Sequence, residues 1–89
     1  MTVRPVRDDI RQALRGYQVE NQFNKQINFI EQVGTHYPSL GFKPITDTKH
    51  LKDPARLYEF RINDQYRAYC IKPQPDVIEI TSVDAHDRV

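Results

Sequence analysis

The sequence has few of the residues and runs that define several common classes of protein. Its only cysteine is Cys70, which excludes an internal disulfide and a metal site made of several cysteines. No apolar run approaches the roughly 18–20 residues of a membrane-spanning helix, and the first residues do not resemble a secretory signal. The few glycines lie far apart and form no phosphate-binding loop. We therefore expect one cytoplasmic domain, residues 1–89, with no membrane partner, metal or other cofactor.

The net charge of +1 conceals an uneven distribution along the chain. Residues 43–72 carry seven basic and four acidic side chains, whereas residues 73–89 carry one basic and four acidic. The middle third is therefore the segment that favours an anionic ligand. Its excess of positive charge is modest, so charge alone does not predict binding to a nucleic acid.

Two amphipathic helices are predicted in the first half, after a short strand over residues 3–6. Asp8 and Asp9 suit the start of the first helix, because carboxylates there cap free amides and favour the positive end of the helix dipole. Gly16 is a natural end for it. Apolar residues at intervals of three and four predict a second helix over residues 18–35. This stripe consists of Val19, Phe23, Ile27, Ile30 and Val33.

Three segments of the second half, residues 56–62, 66–71 and 77–83, are typical of strands because they are rich in β-branched and aromatic residues. The breaks between them consist of turn-forming residues, and such short breaks indicate antiparallel hairpins. The predicted fold class is therefore α+β, in which an N-terminal α-helical hairpin packs on one face of a small, mainly antiparallel β-sheet.

Side-chain alternation predicts how the first two of these strands pair. A three-residue loop that sets Ile62 opposite Tyr66 also sets Phe60 opposite Ala68, and the apolar residues then share one face. A two-residue loop would mix apolar and charged residues on both faces. The same reasoning pairs Cys70 with Ile78 and Ala68 with Ile80. The other, open face is then expected to carry Glu59, Arg61, Arg67, Tyr69, Glu79 and Thr81.

This register places Arg61 directly opposite Arg67 on a solvent-exposed sheet. Two like charges in that position repel each other, which favours a bound anion between them. A guanidinium group binds two phosphate oxygens at once and keeps its charge, so the pair is a candidate phosphate clamp. In the alternative interpretation, each arginine forms a salt bridge with Glu59 or Glu79 across the strands. The arginines then only keep the sheet surface polar and bind no ligand.

The order of these motifs resembles the RelE/ParE toxin superfamily, and most closely its mRNA-cleaving RelE and YafQ-like branches. The segments that carry the resemblance are HYPSLGFKPI, LYEFRINDQYRAY and the His86-Asp87 pair, and it covers residues 8–87. It implies a RelE-like fold and the toxin of a type II toxin–antitoxin system. Such a toxin is a ribosome-dependent, metal-independent mRNA endonuclease that inhibits translation. Its partners are a cognate antitoxin and the ribosome with mRNA in the A site.

Cleavage of RNA without a metal requires a base, an acid and positive groups that stabilise the crowded phosphate. The expected catalytic residues are Arg61, Arg67, His86 and His50, and the expected RNA-binding residues are Lys43, Lys49, Lys52 and Tyr69. The proton transfers fall to the histidines, to Lys49 or Lys52, or to a carboxylate such as Glu59 or Glu79. In the alternative interpretation, His86 is a surface histidine, His50 belongs to a solvated loop and Tyr69 fills a cross-strand pair.

Two other functions stay open on the sequence. A ParE-like toxin would inhibit DNA gyrase and cleave nothing, so it would need no proton donor at His86. A degenerate, non-catalytic toxin would only bind an antitoxin. The nearly neutral charge favours this last alternative, as does the absence of the aromatic residue that many members carry after the histidine region.

Overall fold

The computed structural model describes residues 1–45 and 57–85. In chain order, the elements of this part are β1 Thr2–Val3, α1 Asp8–Gly16, α2 Glu20–Val33, a 3₁₀ turn Pro38–Leu40, β2 Lys43–Pro44, β3 Tyr58–Arg61, β4 Tyr66–Gln74 and β5 Val77–Ala85. The strands form one sheet in the order β1-β5-β4-β3-β2. Only the β1–β5 pair among these strands is parallel. The fold class is therefore α+β, as the sequence predicts.

Both predicted helices are present. The acidic residues Asp8 and Asp9 form the first turn of α1. The predicted second helix is two residues too long at each end. Gln18 has a φ of 61° and lies outside the helical region of backbone space, and Gly34, with a φ of 82°, ends α2 in a conformation that favours glycine. None of the helices in residues 1–45 or 57–85 combines the length and apolar character needed to cross a membrane.

The helices and the sheet enclose a single cluster of buried apolar side chains. It consists of Ile10, Leu14, Val19, Phe23, Ile30, Leu40, Phe60, Ile62, Ala68, Cys70, Ile78 and Ile80. The predicted helix stripe is confirmed except at its end, where Val33 is 59% exposed. The helices thus cover one face of the sheet and leave the other, the open face, without a helix from the described residues.

The pairing of β3 with β4 agrees with the prediction. Phe60 lies opposite Ala68 and Arg61 lies opposite Arg67, and the Ile62 N–H donates to the Tyr66 carbonyl at 3.0 Å. The Asn63 side chain fixes the turn, because its Oδ1 accepts hydrogen bonds from two backbone N–H groups, those of Gln65 at 2.8 Å and Tyr66 at 2.9 Å.

The predicted pairing of β4 with β5 is wrong by two residues or more. Cys70 lies opposite Ile80 rather than Ile78, and Ala68 lies opposite Val83 rather than Ile80. The main reason is the turn: β4 continues to Gln74, which pairs with Val77, so the turn has two residues instead of the five of the predicted break over residues 72–76. A β-bulge at Thr81, which has no partner between the Tyr69–Ser82 and Cys70–Ile80 pairs, shifts the register by one more residue towards Ala68. The Thr81 hydroxyl donates to the Tyr69 carbonyl at 3.1 Å, which stabilises the bulge.

Further along, the ladder shifts again between Ile71 and Gln74, where β4 carries the extra residue. Beyond the Thr81 bulge, the alternation of β5 is reset. Val83 packs against the core, and Ser82 and Asp84 lie on the open face, opposite Tyr69 and Arg67.

Candidate functional site

A pocket of about 210 Å³ lies where β2 and β3 approach the β3–β4 turn. Its lining contains three cationic side chains, from Lys43, Arg61 and Arg67, together with Gly41 and Phe42. The antiparallel pairing of β2 with β3 sets Lys43 opposite Glu59, which places it on the same face as the arginines. The site therefore combines two residues predicted to be catalytic with one predicted to bind RNA.

Arg67 is oriented by neutral groups rather than by a carboxylate. Its Nη1 donates to the Asn63 carbonyl at 2.9 Å and to the Tyr66 carbonyl at 3.3 Å. Within residues 1–45 and 57–85, no salt bridge involves Arg67. The turn thus holds one end of the guanidinium group, while its positive charge stays available to a ligand.

Arg61 is the more exposed of the two arginines, with 48% of its side chain accessible. Its Nη1 lies 3.8 Å from Oδ1 of Asp64, a carboxylate that is itself 96% exposed. A pair of this length between solvated groups contributes little to stability. Glu59 and Glu79 pair with Lys43 and Arg4 instead. The structure therefore does not show the alternative in which they neutralise Arg61 and Arg67.

The backbone of Arg61 is fixed from the helix side. The Gln26 side chain donates from Nε2 to the Arg61 carbonyl at 2.7 Å. The Tyr37 hydroxyl in turn donates to Gln26 Oε1 at 2.9 Å, and burial raises the pKa of Tyr37, which keeps the hydroxyl protonated as a donor. This short chain of hydrogen bonds holds the end of β3 against α2.

Among the described strand residues, three carboxylates lie on the open face, and each has a different partner. Oε1 of Glu59 lies 3.5 Å from Lys43 Nζ, beside the pocket. Oε1 of Glu79 lies 2.7 Å from Arg4 Nη1, towards β1 and away from the pocket. Oδ1 of Asp84 accepts the Ala85 N–H at 2.7 Å. Of these three carboxylates, Glu59 is therefore the one paired with a cation of the pocket.

Tyr69, predicted to bind RNA, lies on the open face between Glu59 on β3 and Ser82 on β5. It is half-buried, one row away from the Arg61–Arg67 pair. An aromatic ring in this position can stack on a base or fill the space between its cross-strand neighbours.

The other predicted site residues, His50, Lys49, Lys52 and His86, lie outside the described residues. Their roles stay predictions, as does an orienting role for Asp87.

Sequence reasoning missed two features of this site. It did not foresee β2, a strand of two residues, and therefore did not place Lys43 beside the arginines. It also missed Asp84, because nothing in the sequence marks the bulge at Thr81. A signal for β2 was present in the turn-forming Gly41, which has a left-handed backbone with φ 63° and redirects the chain after the 3₁₀ turn.

Cys70 belongs to the core and not to the site. It is fully buried, and burial raises the pKa of its thiol to about 12, with Lys72 acting weakly in the opposite direction. A thiol with that pKa is almost entirely protonated at neutral pH and is a poor nucleophile. In the part of the chain that the structure describes, no three His, Cys, Asp or Glu side chains are grouped so that they could hold a metal.

A second, larger groove of about 490 Å³ runs along α2 on the helix side. The exposed Phe29 and Val33 contribute to its lining, together with Tyr37 and Ile62. Among the described residues of that lining, Lys25 is the one with a charge, and none forms an acid–base pair. The surface of the groove is mostly apolar.

The comparisons with known proteins give no relative for this chain: no family model, no curated protein and no solved structure matches it. The geometry of the open face and the chemistry of its residues are therefore the observations that bear on function.

Proposed function

We propose that this protein binds and cleaves RNA on the open face, at the pocket lined by Arg61, Arg67 and Lys43. The observation that supports this is the opposed pair of arginines. Cross-strand neighbours have Cβ atoms roughly 4.5–5.5 Å apart, and two guanidinium groups at that spacing match the oxygens of one phosphodiester. The proposed class is a metal-independent endoribonuclease.

Within this class, we propose a toxin of the RelE type, the toxin of a type II toxin–antitoxin system. The proposal is supported by the motif order of the sequence and by the α+β fold, in which a helical hairpin covers one face of the sheet. The substrate is mRNA in the ribosomal A site, the compartment is the cytoplasm, and a cognate antitoxin holds the protein inactive. Cleavage inhibits translation.

The arginines serve the transition state in this proposal. When the 2′-hydroxyl attacks phosphorus, negative charge accumulates on the non-bridging oxygens. Arg67, whose position is fixed by two carbonyls of the turn, and Arg61 stabilise that charge. Because the Arg67 guanidinium group is held in place before the substrate binds, little reorganisation of this group is needed at the moment of reaction.

The proposal is tested by expressing the protein in bacteria and mapping mRNA 5′ ends while supercoiling by DNA gyrase is assayed. We expect cuts in phase with codons, and their loss in the Arg67→Ala variant. Loss of supercoiling with intact mRNA would instead favour a gyrase inhibitor. Expression without either effect would favour a non-catalytic protein that only binds an antitoxin.

A further inference from the structure

Glu59 is a carboxylate that lies among the cations of the open face. It precedes Arg61 by two residues on β3, so the two side chains emerge from the same face about 7 Å apart. Its cross-strand neighbour is Tyr69, and Arg67 is its diagonal neighbour, within reach of long side chains. The Glu59 side chain is only 15% exposed, compared with 40% for Glu79 on the same face.

A negative charge in this place opposes the binding of a phosphate. Like charges in a partly desolvated site repel each other more strongly than they do in water. Lys43 Nζ lies 3.5 Å from Glu59 and offsets part of that repulsion. The same pairing reduces the positive charge that Lys43 presents to a phosphate. A site that only had to hold an anion would bind it better with a neutral residue at position 59. The carboxylate therefore indicates a role in a reaction rather than in affinity.

We infer that Glu59 is the general base of the proposed ribonuclease. In this step, the Glu59 carboxylate takes the proton from the ribose 2′-hydroxyl, and O2′ forms a bond to phosphorus. The bond from phosphorus to O5′ breaks, and the departing O5′ takes a proton from water. The products carry a 2′,3′-cyclic phosphate and a 5′-hydroxyl. The substrate must then be RNA, because DNA has no 2′-hydroxyl.

Glu79 and Asp84, the other described carboxylates of the open face, are less suited to this step. Glu79 forms a salt bridge of 2.7 Å with Arg4, towards β1 and away from the pocket. Asp84 lies opposite Arg67, but it is exposed and one of its oxygens accepts the Ala85 N–H. Glu59 is the carboxylate that is both shielded from solvent and paired with a cation of the pocket. The inference rests on the proposed function, because it assigns a role within that reaction.

The test uses purified ribosomes programmed with a short mRNA. Glu59→Gln keeps the size and hydrogen-bonding capacity of the side chain but removes the base, and Glu79→Gln is the matched control on the same face. We expect E59Q to cleave at least about 100-fold more slowly than the wild type, within the range of a lost general base. E79Q should cleave like the wild type.

A second measurement separates catalysis from binding. The same mRNA with a 2′-deoxy nucleotide at the cleavage site has no proton for the base to remove and is not cut. We expect E59Q to bind ribosomes carrying this mRNA as tightly as the wild type, or more tightly, because a negative charge has been removed. Weaker binding by E59Q would overturn the assignment, since the residue would then act by positioning Lys43 or the fold.

Three other results would also overturn it: cleavage by E59Q within about tenfold of the wild type, an equal loss in E79Q, or a loss confined to Asp84→Asn. Each of these leaves the ribonuclease proposal standing, because the wild type still cleaves. If the wild type cleaves no RNA under these conditions, the proposed function itself fails.

Discussion

The open face presents arginines at its two ends, and they differ in their partners rather than in their exposure. Arg4, beside β5, is 46% exposed and lies 2.7 Å from the Glu79 carboxylate. Arg61, beside the β3–β4 turn, is 48% exposed and lies 3.8 Å from a fully solvated Asp64. Arg67, opposite Arg61, donates to the main-chain carbonyls of Asn63 and Tyr66. Exposure alone thus does not identify a binding arginine, whereas the chemistry of the partner does.

The difference has a simple electrostatic meaning. A guanidinium group that is paired with a carboxylate presents little net charge to a ligand, and an approaching anion must compete with that partner. A guanidinium group that is oriented by neutral carbonyls keeps its full charge and has already lost part of its conformational freedom. At the end of the open face near the β3–β4 turn, Arg61 and Arg67 therefore keep positive charge for an anion. At the end near β1, the charge of Arg4 is neutralised by Glu79.

Arg67→Ala is the strongest test of the proposed difference between the two ends of the open face. We expect cleavage of ribosome-bound mRNA to fall about 100- to 1000-fold, as when one fixed donor to a transition-state oxyanion is removed. The free energy of unfolding should change little, because the side chain lies on the open face. Cleavage is measured by primer extension, and Arg4→Ala is the control. An equal loss in both variants would show that the two ends do not differ.

Asn63→Ala tests whether the turn orients Arg67. The variant loses the acceptor for two backbone N–H groups, which should lower the free energy of unfolding by about 1–2 kcal/mol. It should also slow cleavage, because the Asn63 carbonyl that holds Arg67 shifts with the turn. Chemical denaturation and primer extension measure the two effects. Normal cleavage by a destabilised variant would mean that Arg67 does not depend on the turn.

Lys43→Ala tests whether the pocket binds RNA phosphate, through the salt dependence of RNA affinity. If Lys43 contacts an RNA phosphate, the slope of log affinity against log salt should become less steep by about 0.7, the value for one contact with a single strand. The readout is the affinity for single-stranded RNA at several salt concentrations. An unchanged slope would indicate that Lys43 serves only to neutralise Glu59.

The smallest effect is expected at the other end of the face. Arg4→Ala removes an exposed salt bridge, so the free energy of unfolding should fall by about 0.2–1 kcal/mol. The midpoint of chemical denaturation measures this change, and RNA affinity should stay as in the wild type. Loss of RNA affinity in this variant would extend the binding surface to β1 and remove the proposed contrast.

The sequence predicts the turn end of the face better than it predicts the rest. Alternation and the Asn63 turn determine the β3–β4 register, because a loop one residue shorter or longer would turn charged residues towards the core. The position of Arg61 opposite Arg67 follows from that register and was therefore predictable.

The β4–β5 register could not be derived in the same way. Pro73 and Pro75 indicate a break soon after Ile71, but β4 continues to Gln74 and the turn has only two residues. The bulge adds one further residue without an apolar or turn-forming signature, because Thr81 is an ordinary strand residue. The position of Lys43 depends on a two-residue strand that pairs with β3, too short to produce a periodic pattern. Both features depend on tertiary pairing, and both shape the site.

The most direct test of the central claim is to observe the arginine side chains while RNA binds. The Nε–Hε groups of the arginines give separate signals in NMR spectra, and a short RNA with a 2′-deoxy nucleotide at the cleavage site can be titrated without being cut. We predict that the signals of Arg61 and Arg67 shift together as the RNA is added, while that of Arg4 does not move. Shifts confined to Arg4, or an Arg67 signal that stays in place at saturating RNA, would contradict the phosphate site on the open face.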